Sequence, residues 1–185
     1  MNIRKEFLPF SRPSIGEAEI NAVVACLKSG WITTGAICQD FEDRFRKLTG
    51  ATQAVTLSSA TAGMHLMLAA LDLQPGDEVI TPSLTFASTV NMIVLRKAAP
   101  VFVDVDYGTL NINCGLIEEK ITNRTRAIIP VHFAGAPVDM DIINELARKY
   151  DLAVIEDAAH AVGTSYRGIH AGGFGHPAIF SFHPI

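Results

Sequence analysis

Two carboxylates and a histidine follow an apolar run in the segment Val154–His160, VIEDAAH. An aspartate at the tip of a buried strand can hold a proton on the ring nitrogen of a ligand, because ion pairing favours the ionised carboxylate. Asp157 is the candidate for that role, with His160 three positions further on. Two alternatives stay open. Asp157 could be a cap and His160 a hydrogen-bonded partner, or the residues could bind a metal. The metal site is disfavoured because the six histidines form no HxH or HExxH pair.

Small and hydroxyl residues follow another apolar run, in the segment Leu57–Gly63, LSSATAG. Backbone amides at a helix N-terminus bind phosphate, and small residues allow an anion to approach them. Ser58 or Ser59 could equally be an ordinary helix N-cap, and both interpretations stay open. The segment is not a Walker loop, because no Gly-Lys-Ser/Thr follows it.

An aromatic residue and two polar residues stand out in two further segments. Phe86, within PSLTFAST at 82–89, lies at a predicted strand-to-helix turn. Its ring could stack on a planar ligand or belong to the core. Ser181 and His183 interleave with apolar residues in IFSFH at 179–183, which indicates a strand. Strand alternation alone would also explain these two polar residues.

The elements that would position these segments alternate along the chain. The continuously apolar runs predict strands at 54–57, 78–82, 101–106, 127–133 and 153–157. Helical patterns between or after them cover 61–71, 86–97, 114–121 and 139–150. This alternation predicts an α/β fold with an open, mostly parallel sheet. Ligands of such sheets bind at the carboxyl ends of the strands, which is where the candidate residues lie.

Two helices are predicted before the first strand. A capping-box pattern at Ser14–Glu17 starts the first helix, which Gly30 ends, and residues 30–35 form a loop. The second helix covers 39–48. Its predicted apolar face consists of Phe41, Phe45 and Leu48, and that of the helix at 139–150 consists of Ile142, Ile143, Leu146 and Tyr150.

Composition limits the class of protein. The 185 residues are 49% hydrophobic and 18% charged, which suits one domain with a core. The net charge of -4, without a basic block, argues against a nucleic-acid partner. No apolar stretch is long enough to span a membrane, and we expect no secretory signal, because the N-terminal MNIRKEFLPFSRP has no apolar h-region behind it. Three cysteines without CxxC spacing suit a reducing compartment, so we expect a cytoplasmic protein.

Taken in this order, the segments resemble the DegT/DnrJ/EryC1/StrS family of sugar aminotransferases, which use pyridoxal 5′-phosphate (PLP) on a fold-type I scaffold. The likeness runs from Phe7 to Ile185. Within the family it is greatest to the branch that makes UDP-4-amino-4-deoxy-L-arabinose for lipid A modification, with glutamate as amine donor. The motifs that carry it are FLPFSRP, SGWITTG, SSATAGMH, GDEVITPS, PVFVDVD, AIIPVHFAGAP, VIEDAAHAVGTSY and IFSFH.

The resemblance implies a role for each candidate residue and a large domain built on a mostly parallel seven-stranded sheet. Asp157 would pair with the protonated ring nitrogen of PLP, and Phe86 would lie against the ring. The remaining implied cofactor contacts are Ser59, Ala60, Thr61, His160, Ser181 and His183. Trp31, Thr33 and Thr34 would border the sugar nucleotide, a UDP-4-keto-pentose.

The family pattern continues past SFHxx into the lysine that forms the Schiff base with PLP. That position would come directly after Ile185, so no catalytic residue is assigned within the chain. We expect residues 1–185 to be the N-terminal part of the large domain, inactive alone, from an enzyme that is a homodimer at full length. Two alternatives stay open: a sugar dehydratase of the same family, with histidine in place of that lysine, and a non-catalytic truncated gene product.

Overall fold

The computed structural model describes residues 6–8 and 12–183. Its internal contacts divide the chain into two compact units, residues 1–40 with 182–185 and residues 41–181. Part of the FLPFSRP motif, and Pro184 and Ile185 at the other end, lie outside the described residues.

The first unit contains helix α1, Glu17–Lys28. The N-cap is Gly16, whose N–H donates to the carboxylate of Glu19 at 2.7 Å. The capping box predicted at Ser14–Glu17 is therefore wrong by two residues, because the carboxylate that satisfies the first unpaired amide belongs to Glu19. Gly30 follows the helix with a φ of 73°, the left-handed conformation expected where a helix ends.

Helix α2, Ala36–Thr49, begins three residues earlier than the predicted 39–48. In the second unit the rings of Phe41 and Phe45 stack with centroids 5.9 Å apart, and Phe45 meets Phe180 edge-on at 4.9 Å. Leu48 is exposed instead of packed, so the predicted apolar face is wrong at that residue. Only the two phenylalanines of the predicted apolar face pack in this way.

The second unit is an α/β sheet whose first four strands are parallel. The strands are β1, Glu78–Pro82; β2, Ala99–Val103; β3, Thr125–Ile128; β4, Ala153–Val154; β5, Glu156–Asp157; β6, Ser165–Tyr166; β7, Ile169–His170; and β8, Ala178–Ile179. Strands β1 to β4 lie in the order β2-β1-β3-β4, and β5 pairs in parallel with β8. The β6–β7 pair is an antiparallel hairpin.

Backbone hydrogen bonds carry the sheet on from β4 into β5. The N–H of Ile155 donates to the carbonyl of Ile128 at 3.1 Å, and the N–H of Asp157 donates to that of Pro130 at 2.9 Å. On the other side the N–H of Ala158 donates to the carbonyl of Ile179 at 2.9 Å. The carboxyl ends of β1, β5 and β8 therefore share one edge, and the predicted α/β fold with a mostly parallel sheet is confirmed.

Three helices cover this sheet, close to their predicted bounds: α3, Ala60–Ala70; α4, Ala87–Leu95; and α5, Met140–Tyr150. Consecutive strand residues point to opposite faces, as the pleat requires. Val79, Ala127 and Ile155 pack with Leu68 of α3 and Ile93 of α4. The neighbouring residues Ile80, Ile128 and Val154 pack with Ile143 and Leu146 of α5.

The strand predicted at 54–57 is wrong. The N–H and the hydroxyl of Thr56 both donate to one carboxylate oxygen of Glu42, each at 2.7 Å. These bonds take the place of a ladder and lower the pKa of Glu42, the side-chain bond more than the backbone one. Val55 is 74% exposed, so this apolar side chain does not belong to a buried strand in this structure.

Other predicted bounds are wrong in detail. Residues 114–121 form two short 3₁₀ helices, Cys114–Leu116 and Glu118–Lys120, and the side chain of Asn113 caps the first by accepting from the N–H of Gly115. The strands predicted at 101–106 and 127–133 end early, at Val103 and Ile128. Pro130 has no N–H to donate, so the pairing is irregular there, although the N–H of His132 still donates to the carbonyl of Asp157 at 3.0 Å. The buried face of α5 comprises Met140, Ile143, Leu146 and Ala147, whereas Ile142 and Tyr150 are at its exposed boundary.

Candidate functional site

Strand ends and helix starts meet at the carboxyl edge of the sheet. Helix α4 begins shortly after β1 ends, and the first turn of α3 packs against the end of β8. A Cβ at Gly63 would lie 3.3 Å from Cγ2 of Ile179, the last residue of β8, which explains the glycine in that turn. Such an edge, with helix N-termini beside it, is where α/β sheets bind anionic and planar ligands.

Asp157 ends strand β5 and is 7% exposed. Its Oδ2 accepts a hydrogen bond from the hydroxyl of Thr89 at 2.7 Å, and its Oδ1 accepts one from the N–H of Ala159 at 3.2 Å. Each carboxylate oxygen has about two acceptor positions, so one on each oxygen remains for a ligand. The capping interpretation of Asp157 is correct for the local turn and does not use up the carboxylate.

The adjacent Glu156 points to the opposite face, where it is fully buried with His132. The N–H of Val138 donates to Nδ1 of His132, so the ring proton is assigned to Nε2, which donates to Oε2 of Glu156 at 3.1 Å. Gly172 N–H donates to the same oxygen at 3.2 Å, while Oε1 of Glu156 has no hydrogen-bond partner among the residues that the structure describes. This carboxylate therefore joins three chain segments beneath the site and does not face a ligand.

Ser59 is the N-cap of α3, and its side chain accepts a hydrogen bond from the N–H of Ala62 at 3.1 Å. The N-cap interpretation is therefore confirmed for Ser59. The cap leaves the amides of Ala60 and Thr61 in the first turn without intrahelical acceptors. An anion at this turn is compatible with the cap, because the cap uses a different amide.

Phe86 is the N-cap residue of α4, and the residue is 74% exposed. The alternative that it belongs to the core is wrong. An aromatic ring of this exposure at the carboxyl edge offers a flat face to a planar ligand.

His160 and Ser181 follow the strand ends without belonging to strands. His160 is exposed, with its ring centroid 6.2 Å from that of Phe133 in an edge-on arrangement. The strand predicted at 179–183 is wrong beyond Ile179, because the partner strand β5 ends at Asp157, directly opposite. Ser181 lies two residues past that end and is partly buried.

The remaining predicted site residues belong to the first unit. The indole N–H of Trp31 donates to the carbonyl of Thr34 at 3.0 Å, and its ring lies over Gly35, where a Cβ would collide with it. Thr33 and His183 are exposed. The structure brings Ser59, Phe86 and Asp157 to one edge of the second unit. The other four predicted residues, Trp31, Thr33, Thr34 and His183, belong to the first unit.

Sequence reasoning missed Thr89 and the pair of His132 and Glu156. Thr89 lies in the segment already singled out around Phe86, but its partner Asp157 is 68 residues away. The direction of Glu156 could have been found, because strand alternation sends adjacent residues to opposite faces.

The described residues contain neither a membrane-spanning helix nor a cluster of metal ligands. None of the helices among them is long and apolar enough to cross a membrane. Across 6–8 and 12–183, histidine, cysteine, aspartate and glutamate side chains form no group of three or more that could hold a metal ion.

The sequence profile of the DegT/DnrJ/EryC1/StrS aminotransferase family matches residues 13–185. The chain belongs to this family. Solved structures similar to it include Spr1654 from Streptococcus pneumoniae, assigned as a sugar aminotransferase, which is 38% identical with a TM-score of 0.89 in its PLP form. That match covers 95% of this chain and 49% of Spr1654.

Two further solved structures extend the comparison. An aminotransferase from Psychrobacter cryohalolentis is 40% identical, with a TM-score of 0.88, over 94% of this chain and 45% of that one. The GDP-4-keto-6-deoxymannose-3-dehydratase ColD, solved as a mutant with bound GDP-perosamine, is 31% identical, with a TM-score of 0.88, over 93% and 46%. The chain thus spans about half the length of the solved family members.

The cofactor prediction is confirmed as pyridoxal 5′-phosphate, since Spr1654 is solved in PLP, apo and PMP (pyridoxamine 5′-phosphate) forms. The described residues fit this group. The capped N-terminus of α3 with the small Ala60 suits a phosphate, the exposed ring of Phe86 suits a pyridine face, and Asp157 retains acceptor positions for a ring N–H.

Proposed function

We propose that residues 1–185 are the N-terminal part of the PLP-binding large domain of a sugar-nucleotide aminotransferase. The enzyme would move the amino group of glutamate to a UDP-4-keto-pentose, giving UDP-4-amino-4-deoxy-L-arabinose, and would act as a homodimer. The observation that carries the proposal is Asp157, a buried carboxylate with open acceptor positions at the carboxyl edge. Family membership supports amino transfer, and the motif resemblance supports the choice of sugar.

In this proposal each residue binds or orients the cofactor or the substrate. Asp157 holds the proton on the ring nitrogen, and Phe86 lies against the ring. When bound, the cofactor supplies an electron sink for the carbon that loses its proton. The other cofactor contacts would be Ser59, Ala60, Thr61 and Ser181 at the phosphate, with His160 near the ring hydroxyl and His183 close by. Trp31, Thr33 and Thr34 would border the sugar nucleotide.

An isotope-transfer assay tests this function. The protein is expressed from the complete reading frame that contains these residues and is supplied with PLP, ¹⁵N-glutamate and the UDP-4-keto-pentose. We expect one ¹⁵N in the sugar product by mass spectrometry and one 2-oxoglutarate formed for each amino sugar. Asp157→Asn is the matched control and should lose this transfer. A sugar without label, from a folded protein with bound PLP, would contradict the proposal.

The similarity to ColD favours a second function, dehydration of a sugar nucleotide. The sugar would then lose a hydroxyl group and gain no nitrogen from glutamate, so the same assay distinguishes the two reactions. The residue encoded directly after Ile185 gives an independent test. The family resemblance implies lysine there for amino transfer and histidine for dehydration.

The phosphate end of the proposed site can be tested at Ser59. In Ser59→Asp the carboxylate still caps α3, so we expect the free energy of unfolding to stay within about 0.5 kcal/mol of wild type. The added charge would repel a phosphate, so the affinity for PMP should fall about tenfold or more. Urea denaturation and calorimetric titration measure the two effects.

The control variant for Ser59 is Ser59→Ala. It removes the cap at a cost of about 1 kcal/mol but adds no charge, so its affinity for PMP should fall less than that of Ser59→Asp. Equal PMP affinity in wild type and Ser59→Asp would place the phosphate elsewhere.

A further inference from the structure

We propose that Thr89 is a positioning residue whose hydroxyl orients the Asp157 carboxylate toward the ring nitrogen and so maintains the proton there. This inference rests on the proposed function, because it assigns a partner to the residue that carries it. Nothing in the sequence pattern marks Thr89, which is 1% exposed within α4.

The direction of the hydrogen bonds follows from the chemistry of the three side chains. Thr85 Oγ1 lies 3.3 Å from Thr89 Oγ1, and Thr89 Oγ1 lies 2.7 Å from Asp157 Oδ2. A hydroxyl has one proton, and an ionised carboxylate can only accept. Thr89 therefore gives its proton to Asp157 and accepts from Thr85, so its donor is committed to the carboxylate.

This bond fixes the plane of the carboxylate. The N–H of Ala159 holds Oδ1 from the turn after β5, and Thr89 holds Oδ2 from another element. Terminal torsions of aspartate are broad, so a carboxylate held at one oxygen rotates easily. With both oxygens held, their remaining acceptor positions have a defined direction before any ligand binds, which lowers the cost of binding.

The same helical turn also carries the aromatic ring of the proposed site. Thr89 N–H donates to the carbonyl of Phe86 at 3.1 Å in the first turn of α4. Phe86 and Thr89, which holds the carboxylate of Asp157, are thus three residues apart on one turn of the helix. Thr89 therefore links Phe86, which would lie on the ring, to Asp157, which would pair with the ring nitrogen.

Titration with PMP tests this inference, because PMP has an amine in place of the aldehyde and binds without covalent attachment. The protein comes from the complete reading frame, and the probe carries ¹⁵N in its pyridine ring. In Thr89→Val the hydroxyl is replaced by a methyl of similar size. We expect an affinity about tenfold weaker and a ring ¹⁵N resonance displaced toward that of the neutral pyridine.

Three further variants separate positioning from a structural role. Thr89→Ser keeps the hydroxyl and should restore the affinity and the ¹⁵N resonance of wild type. Thr89→Cys, a weaker donor of similar size, should resemble Thr89→Val and serves if the valine variant does not fold. Thr85→Val makes the same change in the neighbouring hydroxyl, which is hydrogen-bonded to Thr89, and should alter the affinity less than twofold.

The outcomes distinguish this inference from the proposed function. If wild type binds PMP with a protonated ring nitrogen, and folded Thr89→Val or Thr89→Cys does so with equal affinity and an unchanged resonance, Thr89 has no positioning role. If wild type does not bind PMP at all, the proposed function fails and this inference fails with it.

Discussion

Asp157→Asn is expected to weaken PMP binding by about 2–5 kcal/mol, because it removes the charged partner of a buried ion pair and leaves the ring proton uncompensated. The asparagine keeps the size of the side chain. Its amide oxygen can still accept from Thr89, which limits structural damage at a residue that is only 7% exposed. The loss should therefore appear in binding far more than in folding.

Calorimetric titration of PMP, paired with urea denaturation, separates these two effects. Asp157→Ala is a less suitable variant, because it removes the acceptors of both the Thr89 hydroxyl and the Ala159 N–H, whereas the asparagine oxygen keeps the bond with Thr89 and only the bond with Ala159 is lost. Asp157→Asn should lose about 1 kcal/mol of folding stability, the net value of one hydrogen bond, and bind PMP at least about thirtyfold more weakly. PMP affinity equal to that of wild type would mean that Asp157 does not pair with the ring nitrogen.

The second large effect is expected at Glu156, on the opposite face of the same strand. Glu156→Ala leaves the Nε2–H of His132 and the N–H of Gly172 without their acceptor in a buried site. A buried donor that is left without its acceptor costs about 1–3 kcal/mol, and here two donors lose theirs. That is a large share of the 5–15 kcal/mol by which a typical domain is stable. We therefore expect a strongly destabilised or unfolded protein.

Glu156→Gln is the matched control. Its amide oxygen can accept from both donors, and its amide nitrogen takes the place of Oε1, which has no partner within the described part of the chain. We expect less than half the destabilisation of the alanine variant, measured by urea denaturation at pH 7. A double-mutant cycle with His132→Ala would isolate the interaction of the pair. An alanine variant within about 1 kcal/mol of wild type would contradict a stabilising role.

The layout of the sheet could be predicted from sequence because its strands are buried on both faces. The runs at 78–82 and 153–157 were identified as strands by continuous apolar character, and the structure has strands in both. The same rule failed at 54–57, where the side chain of Glu42 in α2 accepts the hydrogen bonds of Thr56 in place of a neighbouring strand. Apolar character shows that a segment can be buried, whereas a strand also needs a partner for its backbone.

The candidate site could be predicted only in part. Asp157, Phe86 and Ser59 follow strands or precede helices, so their place at the carboxyl edge follows from the order of the elements. The bond between Thr89 and Asp157 joins an early helix to a late strand, and no local pattern reports such a pair. Glu156 and Asp157 looked like one acidic pair in the sequence, but the pleat of the strand separates their functions.

The most direct test of the account is an experimental structure of the protein, expressed from its complete reading frame, with PMP bound. We predict a carboxylate oxygen of Asp157 at about 2.7–2.9 Å from the ring nitrogen. We also predict the ring of Phe86 against the pyridine and the phosphate at the N-terminus of α3. A phosphate bound away from α3, or a ring nitrogen with no contact to Asp157, would contradict the account.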